Sequence, residues 1–405
     1  MSAHFSLSGR PHTVIGKPLM KRANETSSLS VPSKKTGAIE DSVPILEQGK
    51  IYFTPIGGIT VPRQESEGAL GLNEVISAIR PIDSLHLSFL LDFQFLISCY
   101  PSQLKDKPIT LVVGEKDAKK LRQNSYTYPN VEVLGAPLPI PYGVHHTKMG
   151  IFESEDGKVH VIVSTANLTT DDWEFKTQQF YYAVGNKMES EDVTPTSLFQ
   201  ADLIVYFGQY RFLLEKWRNL IKRTDFTAVA DRLVFSTPGN HFGVPVERLG
   251  HPRLKNLLKE VFPTVEPMLP LERCTFIAQC SSIGSLGPQP INWFRGEFLK
   301  SLEANNPSPA NRPAKFHFIF PCVEDVRNSC QGYMSGGSIS YRSSVHKRQA
   351  WLQVWMCKWR SYRKRRTLAM PHCKTYVKFD HKIPQWQLLT SANLSKAAWG
   401  ELTVN

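Results

Sequence analysis

Apolar positions along this chain fall into two patterns. Short runs such as "ITLVVGEK", "VHVIVST", "CTFIAQC", "FHFIFPCVEDV" and "WQLLTSAN" are dense in β-branched and aromatic residues and predict strands. Between them, apolar residues recur at helical spacing. The longest such stretch, Ala201 to Lys222 ("ADLIVYFGQYRFLLEKWRNLIK"), predicts one long amphipathic helix. Strands interleaved with helices predict an α/β fold built of layered domains. Residues 1–46 are rich in Ser, Thr, Lys, Pro and Gly with little periodicity, and read as a flexible N-terminal tail. Folded sequence begins near "IYFTPIGGI". In "TDFTAVADRLVFSTPGNHFG" a helix ends, a strand starts and Pro-Gly follows. A boundary near Ala230 gives a first domain over 47–230 and a second over 231–405.

Composition narrows the picture. With 405 residues, 41% of them hydrophobic and 11% aromatic, the chain is globular and large enough for two cores. A net charge of +12 favours an anionic partner, nucleic acid or a membrane surface. Seven cysteines without CxxC spacing suggest neither a disulfide framework nor a zinc site. There is no signal-like apolar run and no stretch of membrane-spanning length, so a soluble intracellular protein is expected.

The chemistry lies in a repeat. "HHTKMG" holds His146 and Lys148; "PHCKTY" holds His372 and Lys374. "STANL" then supplies Asn167 and "TSANL" supplies Asn393. From lysine to asparagine the gap is 167 − 148 = 19 and 393 − 374 = 19, with one copy in each half. Alone, a His-x-Lys on a strand is an ordinary surface pair, and an Asn after a strand is a turn or cap. Two copies at equal spacing point to a shared device. On extended backbone, residues i and i+2 share a face, so each His and Lys point together, while His145 and Cys373 point away and read as structural. Two imidazoles, two ammonium groups and two amides suit phosphoryl transfer. Lys and Asn can hold phosphate oxygens, one His can attack phosphorus, and the other can protonate the leaving oxygen and then activate water. The lysines supply the positive charge, so neither metal nor other cofactor is called for.

With those residues in place the chain resembles the phospholipase D superfamily. It resembles most closely the branch of tyrosyl-DNA phosphodiesterases that repair DNA 3′ ends. "YGVHHTKMG", "NLTTDDWEFKTQ", "CSSIGSLG", "GYMSGGSISY", "AMPHCKTY" and "TSANLSKAAWG" follow that family's motifs in order, from about Ile51 onward. The resemblance implies two pseudo-symmetric α/β/α sandwich domains around one central active site. It implies His146 as nucleophile, His372 as general acid then base, and Lys148, Lys374, Asn167 and Asn393 on the phosphate. Gln178 matches the residue that orients the acid histidine. Ser281, Ser282 and Ser338 match positions near the DNA phosphates, and Phe89 and Tyr142 match the walls of the DNA groove. The Ser281–Ser282 loop is also read as a backbone cradle for phosphate. The implied partners are single-stranded or duplex DNA 3′ ends and the tyrosyl peptide of a trapped type IB topoisomerase, with no membrane. A monomer in the nucleus, with the cytoplasm as a further location, is expected. The run "KWRSYRKRR", Lys358 to Arg366, with six basic residues in nine, reads as a phosphate-binding flank and an import signal.

Two departures bear on this reading. The superfamily places an Asp soon after the lysine, where this chain has Glu153 and Phe379; the tyrosyl-DNA branch lacks it too. The chain stops 405 − 393 = 12 residues after Asn393, whereas the family continues to a Glu that orients the nucleophilic histidine. A C-terminally incomplete chain is therefore expected, with a form that binds DNA ends without turnover as the alternative. Another phosphodiesterase of phospholipase D type is the rival among enzymes.

Overall fold

The computed structural model describes residues 2–6, 43–57, 68–189, 194–262, 274–304 and 314–402. Among the described residues, fifteen strands form two sheets. They are β1 (Ser2–Ser6), β2 (Ile51–Phe53), β3 (Pro81–Leu87), β4 (Ile109–Gly114), β5 (Val131–Ala136), β6 (Met149–Ser154), β7 (Lys158–Ser164), β8 (Gln179–Lys187), β9 (Thr224–Asp225), β10 (Arg232–Phe235), β11 (Cys274–Gln279), β12 (Lys315–Ile319), β13 (Met356–Cys357), β14 (Lys374–Asp380) and β15 (Ile383–Thr390). The first sheet runs β2-β8-β7-β6-β3-β4-β5, with β9 beside β8; the second runs β10-β1-β15-β14-β11-β12-β13. The central orders β7-β6-β3-β4-β5 and β15-β14-β11-β12-β13 correspond strand for strand. The directions correspond as well. β3 lies parallel to β4 and antiparallel to β6, just as β11 lies parallel to β12 and antiparallel to β14. The repeat seen in the chemistry is thus a repeat of architecture.

Central strands such as β4 are buried along their whole length, which explains their continuous apolar runs: both faces are covered. One face of the first sheet packs on the helices Leu72–Ile79 and Phe93–Ser98 through Val75, Ile76 and Leu96. Its other face packs on Phe199, Leu203 and Trp217. The same cluster takes in Leu233, Phe235 and Leu389 from the second sheet, so the two halves share a core. Alternation along β15 makes this possible. Leu388 enters the core of the second half beside Phe276 and Trp386, while Leu389 enters the shared one. The chain crosses from the first sheet to the second between β9 and β10.

The structure departs from the sequence reading in three places. Ala201–Lys222 is not one helix. It is the end of Leu198–Gly208, a tight turn at Arg211–Leu214, and Glu215–Lys222, with Arg211 at φ 53°. The apolar stripe keeps helical phase through the turn, so periodicity alone could not show it. A continuous helix would run about 33 Å and overshoot the strands, and Gly208 lies where the chain folds back. Ser2–Ser6, read as part of a tail, is a strand between β10 and β15; residues 7–42 lie outside those described. Finally, His146, Lys148 and His372 precede their strands, and Lys374 opens β14. The alternation still holds because the approach is extended.

Leu389 is fully buried in the shared core. Leu389→Ala is expected to destabilise the protein by about 2–5 kcal/mol in urea denaturation. Ile383→Ala on the same strand, where the side chain is exposed, should change stability by less than about 0.5 kcal/mol.

Candidate active site

The two His-x-Lys segments meet where the halves join. The second half's segment is stitched to the first half at Thr177. Thr177 N donates to the Met370 carbonyl at 2.9 Å, and His372 N and Cys373 N both donate to the Thr177 carbonyl at 3.0 Å. In return, Ser391 Oγ of the second half donates to the His146 carbonyl at 3.1 Å. Each lysine folds back on the histidine two residues before it. Lys148 Nζ donates to the His146 carbonyl at 3.2 Å and lies within 3.5 Å of both ring nitrogens. Lys374 Nζ donates to the His372 carbonyl. Behind this layer His145 and Thr147 point away from the cleft, onto Tyr210 and Tyr206.

The asparagines are fixed by backbone donors, which settles the direction of their amides. Leu90 N donates to Asn167 Oδ1 at 3.3 Å. Asn393 Oδ1 accepts from Ser281 N at 3.2 Å, Ser282 N at 3.0 Å and Ser281 Oγ at 3.3 Å. The Ser281–Ser282 loop therefore differs from its expected role as a phosphate cradle: both N–H groups are spent on Asn393. Asn393 Nδ2 has no partner among the described residues. Asn167 Nδ2 instead donates to Asp172 Oδ2 at 2.7 Å.

Asp172 was not singled out in the sequence, and it organises the site. Asn167 N and Nδ2 each donate to it at 2.7 Å, and Lys176 Nζ lies 2.9 Å away. Its Oδ2 lies 3.2 Å from His372 Nδ1. Gln178, fully buried, places one end of its amide 2.8 Å from the same Nδ1. The signal for Asp172 was present in the repeat. It stands 172 − 167 = 5 residues after the first asparagine, and the same offset from the second, 393 + 5 = 398, falls on Ala398. One half carries a carboxylate where the other carries a methyl group. His146 accordingly has only Lys148 and the Phe89 ring, 5.0 Å away, against its imidazole among the described residues.

Electrostatics follow from that asymmetry. Burial, then Lys148, Lys374 and His372, hold His146 well below the usual histidine range. Burial also lowers His372, to about 4, but Asp172 works the other way and favours its charged form. Asp172 itself resists burial through His372, Lys176 and the Asn167 N–H, and its carboxyl lies well below the ordinary carboxylate range. Burial and the neighbouring Lys374 depress Lys148, with Asp172 opposing. Lys374 falls to about 8, chiefly through burial.

Phe89 is half-buried over His146, and its ring sits 5.6 Å from Lys148 Nζ; it walls the histidine. Tyr142 is exposed to solvent, and no contact ties its side chain to the histidines or lysines among the described residues. Ser338 Oγ donates to the Ser335 carbonyl, two residues from Ser340, which pairs with Ser282. The basic run is less uniform than its composition. Arg360 is engaged by Asp325. Arg366 is buried, 4.4 Å over the Phe53 ring and donating to the Thr54 carbonyl at 2.7 Å, where it ties the halves together. Lys358, Arg363, Lys364 and Arg365 are exposed.

The sequence model of the tyrosyl-DNA phosphodiesterase family matches residues 50–405. A probable tyrosyl-DNA phosphodiesterase of Caenorhabditis elegans is 60% identical over 379 residues, covering 94% of this chain and 84% of that protein. Tyrosyl-DNA phosphodiesterase 1 of Drosophila melanogaster is 30% identical, covering 93% and 69%. The crystal structure of the yeast tyrosyl-DNA phosphodiesterase shares the fold, with a TM-score of 0.64 at 20% identity over 87% of this chain and 85% of that one.

The opposed surroundings of the two histidines give an expectation for their titration by ¹⁵N NMR. Lys148→Met removes a repelling charge and should move His146 upward. Asp172→Asn removes the anion that favours the imidazolium and should move His372 to still lower pH. Parallel shifts of both histidines in either variant would contradict the asymmetry.

Proposed function

Because the chain belongs to the tyrosyl-DNA phosphodiesterase family, we propose that it is a DNA repair hydrolase that clears a tyrosyl peptide from a DNA 3′ phosphate. The observation that carries the reading is the pairing of an imidazole among cations with a second imidazole on Asp172 and Gln178. Burial and the two lysines keep His146 neutral, which is the nucleophilic form. Its nitrogen forms a bond to phosphorus as the bond to the tyrosine oxygen breaks. The electron pair leaves on the phenolic oxygen, which takes a proton from His372. Water then adds to phosphorus, gives its proton to His372, and the P–N bond breaks with its electron pair returning to His146. The DNA is left with a 3′ phosphate.

Lys148, Lys374 and the Nδ2 of Asn393 hold the phosphate oxygens as charge builds on them. The substrate also primes its own acid. A phosphodiester anion between the lysines offsets the field that, with burial, depresses His372, so binding raises the imidazolium fraction. The exposed part of the basic run, with Tyr362, lies along the DNA path and contacts phosphates without reading sequence. We infer that it works in the nucleus as a monomer whose halves divide near Ala230. A specific observation favours one other reading, a chain that binds ends without turnover: His146 has no acceptor on its ring among the described residues.

A gel assay on a 3′-phosphotyrosyl oligonucleotide with EDTA separates the two. Wild type should release tyrosine, and His372→Ala should leave DNA covalently attached to the protein. Neither product from folded protein would support end binding alone. The flank is tested by the salt dependence of binding. Replacing Lys358, Arg363 and Lys364 with Gln should flatten the slope of log K against log salt by about 0.7–0.9 for each phosphate no longer neutralised. An unchanged slope would remove the run from the DNA path.

A further inference from the structure

Thr165 and Ser391 occupy the same place in the repeat, two residues before Asn167 and Asn393. Thr165 Oγ1 lies 2.7 Å from one end of the Gln178 amide, whose other end meets His372 Nδ1 at 2.8 Å. Ser391 Oγ meets the His146 carbonyl at 3.1 Å. Each hydroxyl therefore reaches the histidine of the other half, one directly and one through a single amide. We propose that Thr165 and Ser391 are positioning residues that brace the two histidines reciprocally: Thr165 sets His372 through Gln178, and Ser391 sets His146. The assignment of separate steps below rests on the phosphohistidine reading given above.

The direction of the Gln178 amide follows from its neighbours, since a half-turn about its last bond interchanges oxygen and nitrogen. Asp172 is ionised beneath donors from Asn167 and Lys176, so the His372 Nδ1 beside it at 3.2 Å carries a proton. The amide end facing that N–H is then the oxygen, and the amide nitrogen turns to Thr165. Thr165 Oγ1 accepts from it and gives its own proton to the Gln179 carbonyl at 3.1 Å. Every group has a complementary partner in this arrangement, whereas the opposite one sets N–H against N–H. His372 is left with Nε2 as the nitrogen that gives and takes a proton. Without the hydroxyl, Gln178 is free to turn and the tautomer is no longer fixed.

The two braces act on different steps. Phenolate leaves with little help, whereas water attack needs a base, so loosening His372 slows breakdown of the covalent adduct more than its formation. Loosening His146 slows formation. Thr165→Val, Thr165→Ser, Ser391→Ala and, as the reference trap, His372→Asn should be followed by quenched single-turnover gels on the 3′-phosphotyrosyl oligonucleotide. We expect the adduct of Thr165→Val to decay about tenfold more slowly, as for the removal of one hydrogen bond. Thr165→Ser should restore the rate. Ser391→Ala should form the adduct about tenfold more slowly without accumulating it. Equal slowing of both steps, or a Ser variant no better than Val, would overturn the proposal. If His372→Asn releases tyrosine with no adduct, the phosphohistidine reading fails instead. The brace is then judged by ¹⁵N shifts alone. Loss of the fixed Nδ1–H tautomer of His372 in Thr165→Val supports it, and an unchanged tautomer refutes it.

Discussion

Two lysine ammonium groups buried at one site are the constraint on which the structure turns. Lys148 and Lys374 are 1% and 0% exposed, and burying like charges is unfavourable unless other groups offset them. Asp172 is the carboxylate that acts on both, and it also serves His372, Lys176 and Asn167. The deficit is expressed as depressed proton affinity throughout the cleft. Such a site favours an anion. A phosphodiester supplies an opposing charge, so the repulsion between the buried ammonium groups becomes affinity for an anionic substrate and, more strongly, for the charge that develops on its oxygens.

The fold meets this constraint by repetition with one exception. Five strands of each half share order and direction, and each half delivers His, Lys and Asn from corresponding places. A perfect duplicate would give both histidines the same surroundings and leave nothing to set them apart. The break lies at Asp172 and Ala398. The carboxylate stands in the first half but acts on the histidine of the second, so the difference between the histidines is created across the domain seam.

Much of this was legible in the sequence because it is short-range or repeated. The spacing of Lys148–Asn167 and Lys374–Asn393 needs only counting, and the apolar runs mark the strands. Asp172 was readable only by comparing the halves for what differs. Other features depend on where the chain goes next. The stripe of Phe199, Leu203, Tyr206, Trp217 and Ile221 keeps helical phase across the turn at Arg211, so nothing in the pattern marks the fold-back. Composition cannot distinguish Arg366, stacked on Phe53, from Arg363 in solvent. The Ser281–Ser282 amides could have held a phosphate or an asparagine, and only the register of the segment after β11 against the segment after β15, fixed where Ile283 pairs with Leu394, decides for the asparagine.

That register links stability to chemistry. Leu389 and Ser391 lie on one short stretch of chain. The first fills the shared core, and the second holds the carbonyl of His146. Thr177 and Gln178, adjacent as well, stitch the second half's segment in place and set its histidine. Each half thus orders the other's imidazole with residues next to those that join the halves. Neither half contains a complete site, because the geometry of each histidine exists only when the seam is closed. The hydrophobic surface buried between the sheets therefore stabilises the fold and, through two neighbouring peptides, fixes where the two imidazoles stand.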